Sequence, residues 1–427
     1  MKQSQYNILH KMSSPSYCIA YNSFSNSLAL LNEEEYETIC EIESNVEISL
    51  NQEFEKKLRE GNFIVDDNEN ELELVRERLL RARYSSNSLG LTIAPTMDCN
   101  FACTYCYEKG HRNRGRLDAI TQSNIVKLVE DTSPTIRRLE VTWYGGEPLL
   151  CIDIVDSLSR AFKRICEKVN IDLNMSIITN GYLLTKDVAA HLQELGISFC
   201  QITVDGSKEQ HNKRRIHIEG CDTYDTILDN ACNASDYFQI SIRVNTDKNN
   251  LDAIHHVKQQ IERRGGEEVV VYPAPIRPED GSYAEDDCFE IIDYLDYENK
   301  YYTSTNDEDV YLRNYPNLHG NSCCADSCNS FVIAPNGDLY KCWTDIGIRD
   351  KCIGNINNGE LYENKAIMYS RYDPTRDDEC SQCKFLPVCM GGCPRNAIAN
   401  KDSRCLYNED LFKSYLESIS KTMTGTE

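Results

Sequence analysis

Three cysteines near residue 100 have a spacing that suits an iron–sulfur cluster. Cys99, Cys103 and Cys106 form a C-x3-C-x2-C pattern directly after the apolar run 91–94. Three thiolates on one loop can hold three irons of a [4Fe–4S] cube, and the fourth iron then has no cysteine nearby. An iron left open can bind a small molecule, as the open position of a catalytic metal site does. The pattern therefore predicts a cluster with one free coordination position.

This loop resembles the radical S-adenosylmethionine (SAM) signature, in which SAM chelates the free iron through its amino and carboxylate groups. Tyr105 lies between two of the cysteines, and in that family the aromatic residue sits near the adenine. The resemblance implies SAM as a cofactor and one-electron cleavage that yields a 5′-deoxyadenosyl radical. A chance arrangement and half of a zinc site are the alternatives.

Residues 89–300 alternate short β runs with helical stretches, which predicts a parallel sheet. The predicted strands are 91–94, 139–143, 175–178, 200–204, 240–244 and 269–272. The predicted helices between them include 119–130, 154–169, 187–195 and 252–262. Six such repeats indicate an α/β fold, a partial (β/α)6 parallel barrel. Its active site would lie at the carboxyl ends of the strands.

Polar residues and glycines follow these strands in turn. The run 144–148, Tyr-Gly-Gly-Glu-Pro, resembles the family's Gly-Gly-Glu motif, which binds the amino group of SAM. Asn-Gly and Asp-Gly pairs are by themselves ordinary turns, so the argument rests on their succession at strand ends. With this resemblance, the residues expected at SAM are Tyr105, Gly145, Gly146, Glu147, Thr179, Asn180, Asp205, Arg215, Arg243 and Asn245. No residue is assigned to acid–base catalysis.

Cysteines crowd the last third of the chain in a G-x4-C and C-x2-C-x5-C-x3-C pattern. This resembles the SPASM extension of peptide-modifying radical SAM enzymes, which carries two auxiliary [4Fe–4S] clusters. The resemblance implies one cluster on Cys328, Cys342, Cys393 and either Cys323 or Cys324, and another on Cys380, Cys383, Cys389 and Cys405. Because Cys323 and Cys324 are adjacent, two choices remain for the fourth ligand of the cluster on Cys328, Cys342 and Cys393. An iron without a protein ligand in that cluster is a further alternative. Four-thiolate zinc sites are the alternative.

Residues 1–88 read as a small α+β unit with three short strands followed by helices. That order resembles the winged-helix-like peptide-recognition domain of many maturases, where an extended leader peptide adds to a sheet edge. A structural cap on the next domain is the alternative. The sequence thus predicts three domains, 1–88, 89–300 and 301–427, and three [4Fe–4S] clusters in all.

Composition limits the partners. The net charge of −23 disfavours nucleic acid, because phosphate binding needs a basic face. No run of 18 apolar residues and no signal-peptide core occur, so no membrane segment is expected. Twenty-one cysteines without a secretion signal favour metal ligation in a reducing cytoplasm. The resemblance implies a low-potential electron donor of the flavodoxin or ferredoxin type and a precursor peptide with a leader.

The resemblance implies an oxidoreductase that crosslinks a ribosomally made peptide, as thioether-forming sactipeptide and ranthipeptide maturases do. Anaerobic sulfatase maturation to formylglycine is the nearest alternative. In those maturases an Asp follows the G-x4-C cysteine and serves as base, whereas Trp343 follows Cys342 here. Carbon–carbon and carbon–oxygen crosslinks stay open. An iron–sulfur electron carrier or a zinc-bound peptide-binding module are the non-enzymatic alternatives, and neither would need a SAM site.

Overall fold

The computed structural model describes residues 1–12, 17–42, 50–110, 115–277, 283–304, 314–321, 323–399 and 404–424. The strands are β1 (Lys2–Gln3), β2 (Asn7–Lys11), β3 (Cys18–Asn22), β4 (Ser27–Leu31), β5 (Ile64–Val65), β6 (Ser88–Ile93), β7 (Arg138–Trp143), β8 (Asp172–Thr179), β9 (Ile197–Val204), β10 (Gln239–Thr246), β11 (Val270–Pro275), β12 (Ser330–Ile333), β13 (Asp338–Tyr340), β14 (Gly354–Asn355) and β15 (Glu360–Leu361). The helices are α1 (Glu33–Glu41), α2 (Gln52–Glu60), α3 (Glu71–Arg83), α4 (Ala119–Thr132), α5 (Ile152–Val169), α6 (Lys186–Leu195), α7 (Lys208–Arg214), α8 (Tyr224–Ala234), α9 (Ala253–Glu262), α10 (Ile291–Thr303), α11 (Glu363–Ala366), α12 (Leu386–Cys389), α13 (Pro394–Ile398) and α14 (Glu409–Thr424). Within these ranges no helix is long and apolar enough to cross a membrane.

The chain divides into two compact units. One, the barrel unit, consists of residues 85–289 and 328–368. The other, the composite unit, joins residues 1–84, 290–327 and 369–427. Each unit takes residues from more than one of the three predicted domains, so the boundaries near 88 and 300 stay a prediction.

The barrel unit is built on six parallel strands. They are hydrogen-bonded in the order β11-β10-β9-β8-β7-β6, each next to its neighbour in the chain. Helices α4 to α9 connect them, and their apolar faces bury residues such as Ile125, Phe162 and Ile254. All six predicted strands and the four predicted helices are confirmed, with bounds that differ by one to three residues at most ends. The α/β class and the parallel barrel are therefore confirmed.

The sheet continues past β6 with strands that the sequence analysis did not predict. β12 pairs parallel to β6, and β13, β14 and β15 follow in antiparallel order. These strands have only two to four residues, too few to show an alternating pattern. This extension brings Cys342 and Trp343 into the barrel unit.

The composite unit contains a three-stranded antiparallel sheet in the order β2-β3-β4. One face, with Ile19 and Tyr21, packs on residues of α12 and α14 such as Val388 and Phe412. The opposite face, with Ala20, packs on residues of α1, α2 and their flanks. The predicted order of strands and helices in residues 1–88 is confirmed, but its winged-helix character and its role stay a prediction.

The helix starts in this region follow from capping residues. Asn32 accepts from the backbone of Glu35 while the Glu35 side chain accepts from the backbone of Asn32, a complete capping box. Asn51 and Asn70 cap α2 and α3 with their side-chain oxygens. These polar caps satisfy backbone N–H groups that the first helical turn leaves unpaired.

Candidate functional site

A cavity of about 360 Å³ opens at the carboxyl ends of the barrel strands. Eleven of the residues expected at the first cluster or at SAM line it: Cys99, Cys103, Tyr105, Cys106, Gly145, Gly146, Thr179, Asn180, Arg215, Arg243 and Asn245. Glu147 and Asp205, also expected at SAM, are fully buried beside the cavity and do not line it. The structure thus brings most of the predicted site together in one place.

Backbone hydrogen bonds hold the cysteine loop against the segment after α7. The amide of Ala102 donates to the carbonyl of Ile216 at 2.7 Å, and that of Thr104 to Arg214 at 2.9 Å. Phe101 and His217 form an antiparallel bridge next to these contacts. The cysteine side chains are half-buried and face the cavity. Three thiols on one braced loop form a donor set that fits a [4Fe–4S] cube with one open iron.

Gly145 and Gly146 provide room for this loop. A Cβ on Gly146 would lie 2.3 Å from the carbonyl oxygen of Asp98, and one on Gly145 would lie 2.4 Å from that of Thr96. Gly146 N–H donates to that Thr96 oxygen at 3.1 Å. The predicted close backbone approach at these glycines therefore exists, and the backbone that approaches is the cluster loop itself.

Glu147 holds the ends of neighbouring strands. Its carboxylate accepts from the Thr179 hydroxyl at 2.7 Å and from the backbone amides of Asn180 at 2.8 Å and Leu149 at 3.0 Å. Burial raises the pKa of this carboxyl group, and the three donors oppose that effect. A fully buried carboxylate with three protein donors has a positioning role in this geometry. The predicted direct contact with the SAM ammonium group stays a prediction.

Asn180 connects the third barrel strand to the cysteine loop. Its side-chain amide donates to the side-chain oxygen of Asn100 at 2.7 Å and lies 3.9 Å from the sulfur of Cys99. Its backbone amide is the one bound by Glu147. The strand end, the Gly-Gly-Glu turn and the loop therefore form one continuous polar network.

The Tyr105 hydroxyl lies at the centre of a second polar group. It donates to Asp205 at 2.7 Å and accepts from Arg215 at 3.1 Å and Asn245 at 3.0 Å. Burial raises the pKa of Asp205, and the nearby Arg215 guanidinium opposes the rise. Burial also works against the charge of Arg215, but Tyr105, Cys103 and Asp205 more than compensate, so its pKa lies above the usual range.

Two atoms of this group are buried without a hydrogen-bond partner among the described residues. They are Oδ2 of Asp205 and Nε of Arg215. Buried polar atoms normally have partners, and unpaired ones often mark a place where a ligand or water completes the structure. An acceptor and a donor left open beside the cavity fit a polar cofactor such as SAM.

Sequence reasoning missed several residues of the cavity wall. Trp343 lines it and packs on Tyr144 with ring centroids 5.3 Å apart, and its indole N–H has no partner among the described residues. Gln201 and Thr203 line it from alternate positions of β9, and Arg277 from just beyond β11. The alternation of side chains along β9 would have identified Gln201 and Thr203. The rule that site residues follow the strands would have identified Arg277 after the sixth strand.

The composite unit contains a second, smaller cavity lined by cysteines. Cys380, Cys383, Cys389 and Cys405, the predicted ligands of one auxiliary cluster, all line this space of about 40 Å³. The Tyr372 hydroxyl lies 3.5 Å from the Cys380 sulfur, and burial raises the pKa of the Cys389 thiol to about 12. Four thiols around one cavity fit a four-cysteine cluster.

The ligands predicted for the other auxiliary cluster fall in different units. Cys328 and Cys342 belong to the barrel unit, and Cys323, Cys324 and Cys393 to the composite unit. Their grouping stays a prediction. Cys352, the other cysteine near this block, contacts the carbonyl oxygen of Gly354 at 3.1 Å. Among the described residues, no group of three His, Cys, Asp or Glu side chains is arranged to hold a single metal ion.

Residues 93–261 match the model of the radical SAM superfamily. A cysteine-type anaerobic sulfatase-maturating enzyme of Clostridium novyi is 26% identical over 365 residues, which cover 78% of this chain and 96% of that protein. The radical SAM cyclopropyl synthase TigE of Paramaledivibacter caminithermalis is 22% identical over 402 residues, 84% of this chain and 80% of that protein.

Two solved structures have the same fold. One is anSMEcpe with bound AdoMet and Cp18Cys peptide, with a TM-score of 0.60 and 22% identity, covering 79% of this chain and 98% of that one. The other is Streptococcus suis SuiB bound to precursor peptide SuiA, with a TM-score of 0.53 and 18% identity, covering 95% of this chain and 98% of that one. The family match and these likenesses confirm the resemblance drawn from the cysteine loop.

Proposed function

Since the chain is an enzyme of the radical SAM type, for which SAM and a [4Fe–4S] cluster are the implied cofactors, we propose that it closes a crosslink in a ribosomally made precursor peptide. The crosslink we propose is a thioether from a cysteine sulfur to a carbon atom. The observation that carries this choice is Trp343, which lines the cavity at the position after Cys342. An indole cannot act as the base that an Asp supplies in sulfatase maturation.

The residues of the barrel cavity hold and orient the reacting groups. Cys99, Cys103 and Cys106 would hold the cluster, and the Nε atom of Arg215, with Asp205 behind it, would be available to a polar group of SAM. When bound, the cluster and SAM supply a one-electron cleavage that generates a 5′-deoxyadenosyl radical. The aromatic wall made by the buried Tyr144 and the half-buried Trp343 would help to keep water away from an unselective reagent.

We propose two auxiliary [4Fe–4S] clusters on the C-terminal cysteines. The cavity lined by Cys380, Cys383, Cys389 and Cys405 supports the second of them. The first would use Cys328, Cys342, Cys393 and one of the doublet Cys323-Cys324. The auxiliary clusters would accept the electron that remains when two hydrogens are removed from the peptide. A flavodoxin- or ferredoxin-type donor would reduce the cluster held by the cysteine loop in the barrel. The proposal includes a cytoplasmic location.

We propose that the leader of the precursor adds as a strand to β4. The sheet order β2-β3-β4 leaves the outer edge of β4 without a strand partner among the described residues. Such an edge offers main-chain hydrogen bonds to an extended peptide. SuiB, whose fold this chain shares, was solved with its precursor peptide bound. Deleting residues 1–85 would remove four of the ten buried residues of an apolar cluster of the composite unit, so an intact protein is the better test.

Hydrogen exchange tests the leader site. Addition of the precursor should slow exchange of those backbone amides of β4, Ser27–Leu31, that do not already bond to β3, because new interstrand bonds protect them. The same precursor without its leader is the control and should leave these amides unprotected. Equal exchange with and without the full precursor would reject β4 as the leader site.

Product analysis tests the reaction. With enzyme, SAM and a reductant, the precursor should lose about two mass units per crosslink, since one new bond replaces two hydrogens. One hydrogen leaves as an atom, the other as a proton and an electron. For a thioether, the precursor cysteine should also stop reacting with iodoacetamide. A lighter product whose cysteine still alkylates would indicate a carbon–carbon or carbon–oxygen link, and a hydrazine-reactive aldehyde would indicate sulfatase maturation instead.

Metal analysis tests the cofactor set. Protein reconstituted without oxygen should contain about twelve irons per chain, four for each [4Fe–4S] cube. A variant with Ala at Cys99, Cys103 and Cys106 should keep about eight of them and form no 5′-deoxyadenosine. Zinc in place of iron at the C-terminal cysteines would reject the auxiliary clusters.

A further inference from the structure

Four arginines lie in or after the last three strands of the barrel, and two of them lie near acidic groups. Arg214 donates to Asp247 at 2.7 Å, an aspartate that is fully buried. Arg215 lies beside Asp205 and donates to the Tyr105 hydroxyl, which also binds that carboxylate. Arg214 is therefore paired directly, and Arg215 has an acidic group nearby, to which the Tyr105 hydroxyl links it.

Arg243 and Arg277 differ from them. Both line the barrel cavity. Arg243 donates through Nε to the Asn245 side chain at 3.0 Å. Neither guanidinium has an ion pair with any described residue. The described residues do not include Glu279 and Asp280. The chain has 68 acidic against 45 basic side chains, and although Glu108 lines the same cavity it forms no ion pair with either arginine. Two cations left unmatched at one cavity of such an acidic protein indicate an anionic ligand.

SAM does not account for both cations. It has one carboxylate, and in the resemblance that group chelates the open iron. The planar fork of arginine matches a carboxylate in bidentate fashion, and the interaction strengthens where a cavity excludes water. The remaining occupant of this cavity in the proposed reaction is the peptide.

We propose that Arg243 and Arg277 form a subsite for a carboxylate of the peptide substrate. This rests on the proposed function, and it adds that the residue to be modified lies close to an acidic group. An Asp or Glu side chain and a free C-terminus provide the same chemistry.

Binding of four probe peptides tests the subsite. Each is a fluorescein-labelled octapeptide with one cysteine, flanked by either Asp or Asn, and ending in either a free carboxylate or an amide. Anisotropy with the reconstituted enzyme and SAM should show about three- to tenfold tighter binding for a peptide with a carboxylate than for the neutral one, as for partly exposed charge pairs. The Asp-amide and Asn-acid peptides tell the side chain from the C-terminus.

Two variants and a control complete the test. In Arg277→Gln the preference for a carboxylate should fall below about twofold, and Arg277→Glu should instead prefer a Lys-flanked peptide, which a misfolded protein could not do. Arg263→Gln, which changes an exposed arginine at the end of α9, should keep the preference. Equal affinity of the wild-type enzyme for all four peptides, or binding of none, overturns the subsite. The product and 5′-deoxyadenosine assays judge the proposed function separately.

Discussion

The hydroxyl of Tyr105 donates to Oδ1 of Asp205 at 2.7 Å, and this bond ties the cluster loop to the end of β9. The hydroxyl oxygen of Tyr105 also accepts hydrogen bonds from Arg215 and from Asn245 on β10. Tyr105 therefore couples a loop that carries three cysteines to two barrel strands. Its polar end is used in this way, while its ring packs edge to face on Tyr283 with centroids 6.1 Å apart, and the residue lines the cavity.

Tyr105→Phe should weaken SAM cleavage while the iron content stays near the wild-type value. The change leaves the carboxylate, guanidinium and amide partners short of one buried hydrogen bond, at a cost of about 1–3 kcal/mol. The measurement is the rate of 5′-deoxyadenosine formation per cluster. Tyr182→Phe is the matched control, because that hydroxyl contacts Cys221 at the surface. An unchanged rate in Tyr105→Phe would show that the coupling is dispensable.

Gly146→Ala should prevent the first cluster from assembling. The new Cβ would overlap the carbonyl oxygens of Asp98 and Met97, which are backbone atoms of the cluster loop and cannot swing away. Iron and 5′-deoxyadenosine formation should fall together in this variant. Gly110→Ala is the control, since no atom lies within 4 Å of its added Cβ. Wild-type iron content in Gly146→Ala would contradict the tight packing of the loop.

The sequence predicted the barrel because its signals are local. Each strand is a short apolar run followed by polar or glycine residues, and the cysteine loop carries its spacing in eight residues. The strand-end rule therefore located Thr179, Arg243 and Asn245 correctly in the cavity wall. What it could not give was direction, because a motif does not say which way a side chain turns. The contacts of Glu147 with Thr179 and Asn180, and of Asp205 with Tyr105, were therefore not predicted.

Contacts distant in sequence were beyond such reasoning. From the sequence, the N-terminal sheet was predicted to belong to a separate domain, because its short strands are followed directly by helices. Yet Tyr21 lies against Phe412, nearly four hundred residues later, with ring centroids 5.0 Å apart. Likewise, nothing local marks Trp343 as part of the cavity. Short strands such as β13 position it, and their pairing is fixed by the existing edge of the sheet.

Asp326→Ala should strongly destabilise the composite unit. Asp326 forms an ion pair with Arg83 at 3.1 Å, with exposed side-chain fractions of 0% and 1%. Removal of one partner leaves an uncompensated buried charge, which costs about 3–5 kcal/mol. Chemical denaturation should show this loss, and the double change Arg83→Met with Asp326→Leu should recover most of it.

An exposed pair on the same helix provides the control. Glu77→Ala removes the contact with Arg81, whose side chain is 78% exposed, and should cost under about 0.5 kcal/mol. A cost for Asp326→Ala as small as that of Glu77→Ala would contradict the burial of the pair.

Glu298→Gln should remove a pH dependence of stability. Burial raises the pKa of Glu298 from 4.5 to about 7, against the opposing hydrogen bond from the Tyr294 hydroxyl at 3.0 Å. The folded state thus holds a proton that the unfolded chain has released. Stability from this group is full below pH 4.5 and declines as the pH rises toward 7, by up to about 3 kcal/mol in all. The neutral amide of the variant has no charge to bury at any pH.

Thermal unfolding of both proteins at a series of pH values measures the effect. The midpoint of Glu298→Gln relative to wild type should rise between pH 5 and 7 and level off above, because the wild-type carboxyl is by then ionised in both states. Asp293→Asn, an exposed change on the same helix, should give a pH-independent offset. Parallel curves for Glu298→Gln and wild type across this range would mean that the buried carboxyl does not keep its proton in the folded state.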